Sequence, residues 1–126
     1  MKKHSESFTE LVLWQKARSF RNIIYELCKT FPKEEKYRLS DQLIRSSRSI
    51  TANIAEGHGR YHFQENIQFC RVARGSITES IDHLICALDC KFISTEEFVE
   101  FENLGIEIKK MINGYIKYLL RSKKVN

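Results

Sequence analysis

Apolar residues recur along this chain at alternating steps of three and four, a spacing that admits little besides helix. Leu13, Ala17, Phe20, Ile24, Leu27 and Phe31 make the first row, and Pro32 stops it. Such a row lies along one face of a helix with about 3.6 residues per turn. Leu39, Leu43, Ser46, Ile50 and Asn53 predict a second helix. It should begin near Tyr37 or Leu39 and run to Glu56, with Gly57 placed to cap its C-terminus. Phe63, Ile67, Cys70, Ile77, Ile81, Leu84 and Leu88 predict a third helix from about His62 to Cys90, interrupted only at Arg74. Ser94-Thr95-Glu96-Glu97 is a capping-box sequence that announces a fourth. Phe101, Leu104, Ile108, Met111, Tyr115 and Leu119 carry that helix toward a frayed basic tail. One proline and five glycines among 126 residues leave few places for the chain to turn, and there is no strand pattern or internal repeat. The connections are short, so consecutive helices should run antiparallel. The expectation is an all-α, antiparallel up-down four-helix bundle, a single domain over residues 1–126 with residues 1–7 and 122–126 as flexible tails.

Several function classes drop out. The amino terminus is polar, without the apolar run of a signal peptide. No segment approaches the roughly 20 apolar residues a membrane helix needs, so a cytoplasmic protein without membrane attachment is expected. Cys28, Cys70, Cys86 and Cys90 all fall within helical patterns, which favours reduced thiols over a disulfide framework. Cys86 and Cys90 share a helix face with His83 and could form a soft-metal cluster, but buried structural thiols beside an ordinary histidine explain the spacing equally well. His58 and His62 are four apart with Gly59 and a helix break between them. No metal or cofactor is expected. Asp82-His83 with Ser76 or Ser80 does not make a hydrolase triad, because residues one apart on a helix point in different directions. Gly57-His58-Gly59 lacks the lysine and the preceding strand of a phosphate loop. The carboxylates are scattered, with no Glu-x-x-His pair. The chain reads as non-enzymatic, without a small-molecule substrate.

Charge is where the sequence speaks. The net charge is +5, and residues 1–105 balance at 15 basic and 15 acidic side chains. The excess therefore lies at the C-terminal end, where Lys109, Lys110, Lys117, Arg121, Lys123 and Lys124 face Glu107 alone. Residues 79–107 carry eight carboxylates against Lys91, whereas residues 38–74 carry six arginines against Asp41, Glu56 and Glu65. Such a dipolar molecule can draw a polyanion to one face or stack basic face on acidic face with its own copies.

Residues 45–60 sharpen that choice. Ser46, Ser49, Ala52, Asn53 and Ala55 are small enough for another helix to approach closely, from the same chain or a neighbour. A buried Asn53 would need its amide bonded, and such a residue often fixes register or a subunit contact. Glu56, Gly57 and Arg60 suit a corner, with Arg60 offsetting a carboxylate placed unfavourably near a helix C-terminus. Ser49, Asn53, Glu56 and Gly57 are thus candidates for a structural or oligomer seam. Arg45 and Arg48 lie one turn apart, with Arg38 two turns before Arg45, so all three can form one stripe; Arg71 and Arg74 are again one turn apart and could extend the patch. Arginine grips phosphate bidentately, and Tyr61 and Tyr37 could stack on unpaired bases. Candidate nucleic-acid contacts are Arg45, Arg48, Arg60, Arg71 and Arg74, with Lys117 and Arg121 as a secondary contribution. The rival reading is a scaffold in which these arginines pair with acidic helices of neighbouring subunits.

The words Leu13-Trp14-Gln15-Lys16-Ala17-Arg18, Ile24-Tyr25 and Phe31-Pro32-Lys33-Glu34-Glu35, with Leu39, Gln42, Arg45 and Arg48, carry a resemblance. More specific are Ser49-Ile50, the run from Ala52 to Arg60, and Ala73-Arg74-Gly75-Ser76 leading to Glu79. Over roughly residues 8–120 the chain resembles the bacterial four-helix-bundle family encoded in intervening sequences of 23S ribosomal RNA genes, and more distantly the accessory proteins of diversity-generating retroelements. Thr51 stands where that family commonly has proline. The resemblance implies a ring-shaped homo-oligomer, a homopentamer, and a role in binding nucleic acid, RNA favoured, with no enzymatic activity.

Overall fold

A computed structural model describes residues 7–125. Four helices account for most of them: α1 (Val12–Cys28), α2 (Leu39–Gly59), α3 (Phe63–Asp89) and α4 (Thr95–Val125). Single 3-10 turns precede α1 (Phe8–Glu10) and link α1 to α2 (Lys33–Glu35). Among the described residues there is no strand. Each helix packs on the next in chain order, α2 against α3 most extensively, while α1 and α4 close the ring with the fewest contacts. The fold is an all-α four-helix bundle. Most of the expected amino-terminal tail, residues 1–6, and Asn126 lie outside the described residues; α4 is helical as far as Val125.

The ends differ from the sequence pattern in instructive ways. α1 stops at Cys28, before Pro32, because the residue preceding a proline is held out of the helical region. Phe31 has left the helix yet stays in the core, its ring 5.5 Å from that of Phe92. The N-terminus of α2 takes its cap from outside, the Leu39 amide donating to Glu35 Oε1 at 3.3 Å. Gly57 does not cap α2: the helix runs through it to Gly59, and Arg60 follows as the capping residue. No glycine among the described residues has a positive φ. Tyr61 (53°) and Lys91 (63°) take the left-handed positions after α2 and α3 instead. At the second turn the Phe92 amide reaches Ala87 O and the Lys91 amide reaches Leu88 O, both at 2.9 Å, the paired bonds of a Schellman motif. The capping box forms as read: Ser94 N donates to Glu97 Oε1 at 2.9 Å and Glu97 N to Ser94 Oγ at 3.1 Å.

Each inner helix meets two neighbours and therefore buries more than one row. α2 buries Leu39, Leu43, Ser46 and Ile50, and beside them Ser47, Thr51, Ile54 and His58. On α4 the centre of the buried face is displaced by one residue, so Ile112 and Ile116 are buried whereas Met111 and Tyr115 are half-buried.

The α2–α3 seam is built from small and hydroxylated residues. Ser46 Oγ and Ser80 Oγ share a hydrogen bond of 2.8 Å, and Ser76 Oγ donates to Ser49 Oγ at 3.0 Å. Asn53 stays on its own helix, its Nδ2 donating to the Ser49 carbonyl at 2.8 Å and to Ser49 Oγ at 2.9 Å. Ala52 and Ala55 turn away from this seam toward α1, where they border the same groove as Trp14. The closest approach is at Gly57. A Cβ there would stand 2.8 Å from Asn66 Oδ1, 2.9 Å from Phe69 Cβ and 3.2 Å from the Asn66 carbonyl oxygen.

Two stability predictions follow from this geometry. Gly57→Ala gains about 1 kcal/mol of helix propensity but forces apart two backbones that have no slack, at about 1–3 kcal/mol. The expected net effect is a lower melting temperature by thermal unfolding, and an increase would contradict the close approach. Lys91→Gly relieves a left-handed side-chain-bearing residue and should stabilise by about 1 kcal/mol, raising the melting temperature by about 3–6 °C.

Candidate nucleic-acid interface

The arginines singled out in the sequence do not share one surface. Arg45 projects from the outer ridge of α2, 80% exposed, with Nε 3.2 Å from Asp41 Oδ2 one turn earlier. Arg48 leans the other way, toward α1, and places its guanidinium 5.6 Å from the centre of the Tyr25 ring. Arg38 precedes the first residue of α2 and is exposed. A single stripe through all three is therefore not what forms.

Arg60 belongs to the corner. Its Nη2 lies 3.1 Å from Glu56 Oε2 and its Nε 3.7 Å from Glu65 Oε2. The guanidinium also covers the Phe69 ring at 5.3 Å. Two carboxylates, one from each helix, neutralise it, and it offsets Glu56 at the negative end of α2. Half-exposed pairs like these contribute little individually; their effect is to orient the turn in which Tyr61 takes its left-handed backbone.

A second basic surface lies where α3 and α4 run side by side. Arg74 Nη1 donates to Asn113 Oδ1 at 2.8 Å and Lys109 Nζ to Thr78 Oγ1 at 3.1 Å, which fixes the register of the two helices. Arg71, one turn before Arg74, and Lys117 and Arg121, successive steps of four beyond Asn113, continue the same edge. All three are exposed and none is in an ion pair among the described residues.

A third basic surface escaped the sequence reading. Arg18 and Arg21 of α1 set their guanidiniums 5.7 and 5.8 Å from the Trp14 ring, and Arg21 Nη1 donates to Thr51 Oγ1 of α2 at 2.7 Å. Arg21, with Trp14, Arg48 and Tyr25, borders an α1–α2 groove of about 480 Å3. The available signal was Trp14 followed by arginines four and seven residues later, a spacing that places all three on one helical face.

The other candidates resolve plainly. Ser76 and Ser80 are occupied in the α2–α3 seam, and His83 Nε2 lies 3.2 Å from Glu79 Oε2. Among the described residues no group of three or more His, Cys, Asp or Glu could hold a metal ion. Cys28 and Cys70 are buried whereas Cys86 and Cys90 are exposed, so the latter two are not the structural core thiols that their spacing allowed. Burial pushes the Cys28 thiol up to about 11. It pushes Cys70 up to about 12, a rise that the nearby charge of Arg74 partly counters. No described helix is long and apolar enough to cross a membrane.

The fold and these surfaces define a class: a small all-α bundle with carboxylates concentrated along one stretch of chain and uncompensated arginines elsewhere on its surface. The chain belongs to the 23S rRNA-intervening sequence protein family, whose pattern matches residues 9–114. It is similar to the crystal structure of a protein of unknown function from the S23 ribosomal protein family of Bacteroides thetaiotaomicron, at 28% identity and a TM-score of 0.77. That likeness covers 84% of this chain and 99% of the other. No curated protein matches the chain.

The burial pattern predicts a thiol titration. A disulfide-exchange reagent added to the folded protein at neutral pH should modify Cys86 and Cys90 alone, and all four cysteines after denaturation. Rapid modification of Cys70 in the folded state would contradict its burial.

Proposed function

We propose that this protein is a non-enzymatic, homo-oligomeric helical bundle that binds RNA or DNA, RNA favoured, through arginine–phosphate contacts. The observation that carries the reading is uneven neutralisation. Arg45 and Arg60 face carboxylates, whereas Arg18, Arg21, Arg48, Arg71 and Arg74 have no ion pair among the described residues. Guanidiniums left without a carboxylate at a surface keep their paired donors for a phosphate. Membership of a family named for a ribosomal RNA intervening sequence points the same way. The non-enzymatic part is supported by the serine hydroxyls of Ser76 and Ser80 being taken up in the seam. Phosphate contacts release counterions, so binding should weaken with salt with a slope of about −0.7 per phosphate on a single strand. Fluorescence anisotropy with labelled single-stranded RNA, structured RNA and duplex DNA at low salt tests this. Absence of binding to all three rejects it.

The homopentamer implied by the family resemblance is part of the same proposal. Its support on the surface is the contrast between the acidic stretch 79–107 and the basic stretch 38–74, which can meet between copies. If basic-to-acidic pairing assembles the ring, Arg45→Glu should reduce the mass seen by light scattering, because the Arg45 side chain is 80% exposed. An unchanged mass removes Arg45 from the contact.

A further inference from the structure

Two hollows adjoin on the face formed by α1, α2 and the segment between them. The first, about 480 Å3, is bordered by Trp14, Arg21, Arg48 and Thr51. The second, about 460 Å3, is bordered by Phe31, Lys29, Lys33, Lys36 and Ser40. Tyr25 lines both. Among the described residues, five cations and no carboxylate line the pair.

We propose that this groove holds a short single-stranded segment of RNA, with an unpaired base on Tyr25 and phosphates at Arg21 and Arg48 on one side and Lys33 and Lys36 on the other. The proposal rests on the nucleic-acid reading above and names its site. Tyr25 is 42% exposed, enough to offer its ring. Of the two cations over that ring, Lys29 at 4.9 Å is already bonded to Glu26 at 3.0 Å, whereas Arg48 has no ion pair among the described residues. A base can take the place of Arg48 on the ring and leave the guanidinium to a phosphate beside it. Arg21 is held ready by stacking on Trp14 and by its bond to Thr51, so little freedom is lost when it grips an anion.

Shape selects the occupant. Each hollow lies within the roughly 300–1,000 Å3 of small-ligand sites, enough for a nucleotide. A duplex keeps its bases stacked inside and cannot present one to the tyrosine.

The test is fluorescence anisotropy of the full-length protein with a fluorescein-labelled single-stranded 12-nucleotide RNA and with the matching duplex, at low salt, alongside light scattering. Tyr25→Ala should weaken the single strand by about 5- to 150-fold, the usual effect of losing one stacking aromatic, and leave the duplex unchanged. Arg21→Ala with Arg48→Ala should weaken it by at least tenfold. Lys33→Glu with Lys36→Glu, at exposed positions outside the core, should do the same and guards against misfolding of the arginine pair. Arg71→Ala with Arg74→Ala should have a smaller effect. If the wild-type protein binds neither RNA, the general nucleic-acid reading falls. If it binds but the groove variants bind equally well, the groove assignment is overturned and the general reading stands. Groove variants that lower the assembly mass while binding RNA normally would make a second copy of the chain the occupant, which also overturns the proposal.

Discussion

Everything in this bundle is arranged around the close approach of α2 and α3. Where Gly57 meets Asn66 and Phe69 there is no room for a Cβ, and the two helices are further tied by a pair of serine–serine hydrogen bonds. Small side chains lower the apolar area each helix can bury, but they let backbones come close enough for dispersion contacts to accumulate. The hydroxyl pairs then satisfy polar groups that would be costly to bury alone. α1 and α4 pack on the outer sides of this central pair, and α1 reaches α4 over a much smaller contact.

The helices themselves were legible because their apolar rows are nearly unbroken. What escaped were properties that depend on two helices at once. The second buried rows, such as Thr51 and Ile54 on α2 or Ile112 and Ile116 on α4, arise because each helix touches two neighbours, and a single-row reading sees one. Gly57 looked like a terminator because glycine usually ends helices; here it is spent on proximity, and the left-handed turn positions fall to Tyr61 and Lys91. Asn53 carried a plausible cross-helix role, yet its amide is satisfied within one turn by Ser49. The Glu56–Arg60 pair was readable because its partners are four residues apart. Arg21 against Thr51 was not, since thirty residues separate them.

The surface arginines fall into sets that chemistry separates better than sequence proximity does. Arg60 is enclosed by two carboxylates and an aromatic ring, and Arg45 has Asp41. Arg18, Arg21 and Arg48 rest on aromatic rings, which orient a guanidinium without cancelling its charge. Arg74 is held by the neutral amide of Asn113. Neighbouring arginines on one helix therefore differ in how available their charge is to a partner.

Asn66 joins these threads. Its Nδ2 donates to the Tyr115 hydroxyl of α4 at 3.2 Å, and the Cys70 thiol donates to its Oδ1 at 3.6 Å. The same Oδ1 is one of the three atoms that leave no room for a side chain at position 57, with Phe69 Cβ and the Asn66 carbonyl oxygen. Three helices thus depend on one amide. A larger residue at 57 must displace the α3 backbone as well as the Asn66 side chain, and a smaller residue at 66 strands a half-buried phenol at 115. No exchange at 66 or 115 by itself makes room at 57, so descendants of this chain should keep glycine, asparagine and tyrosine as an inherited set.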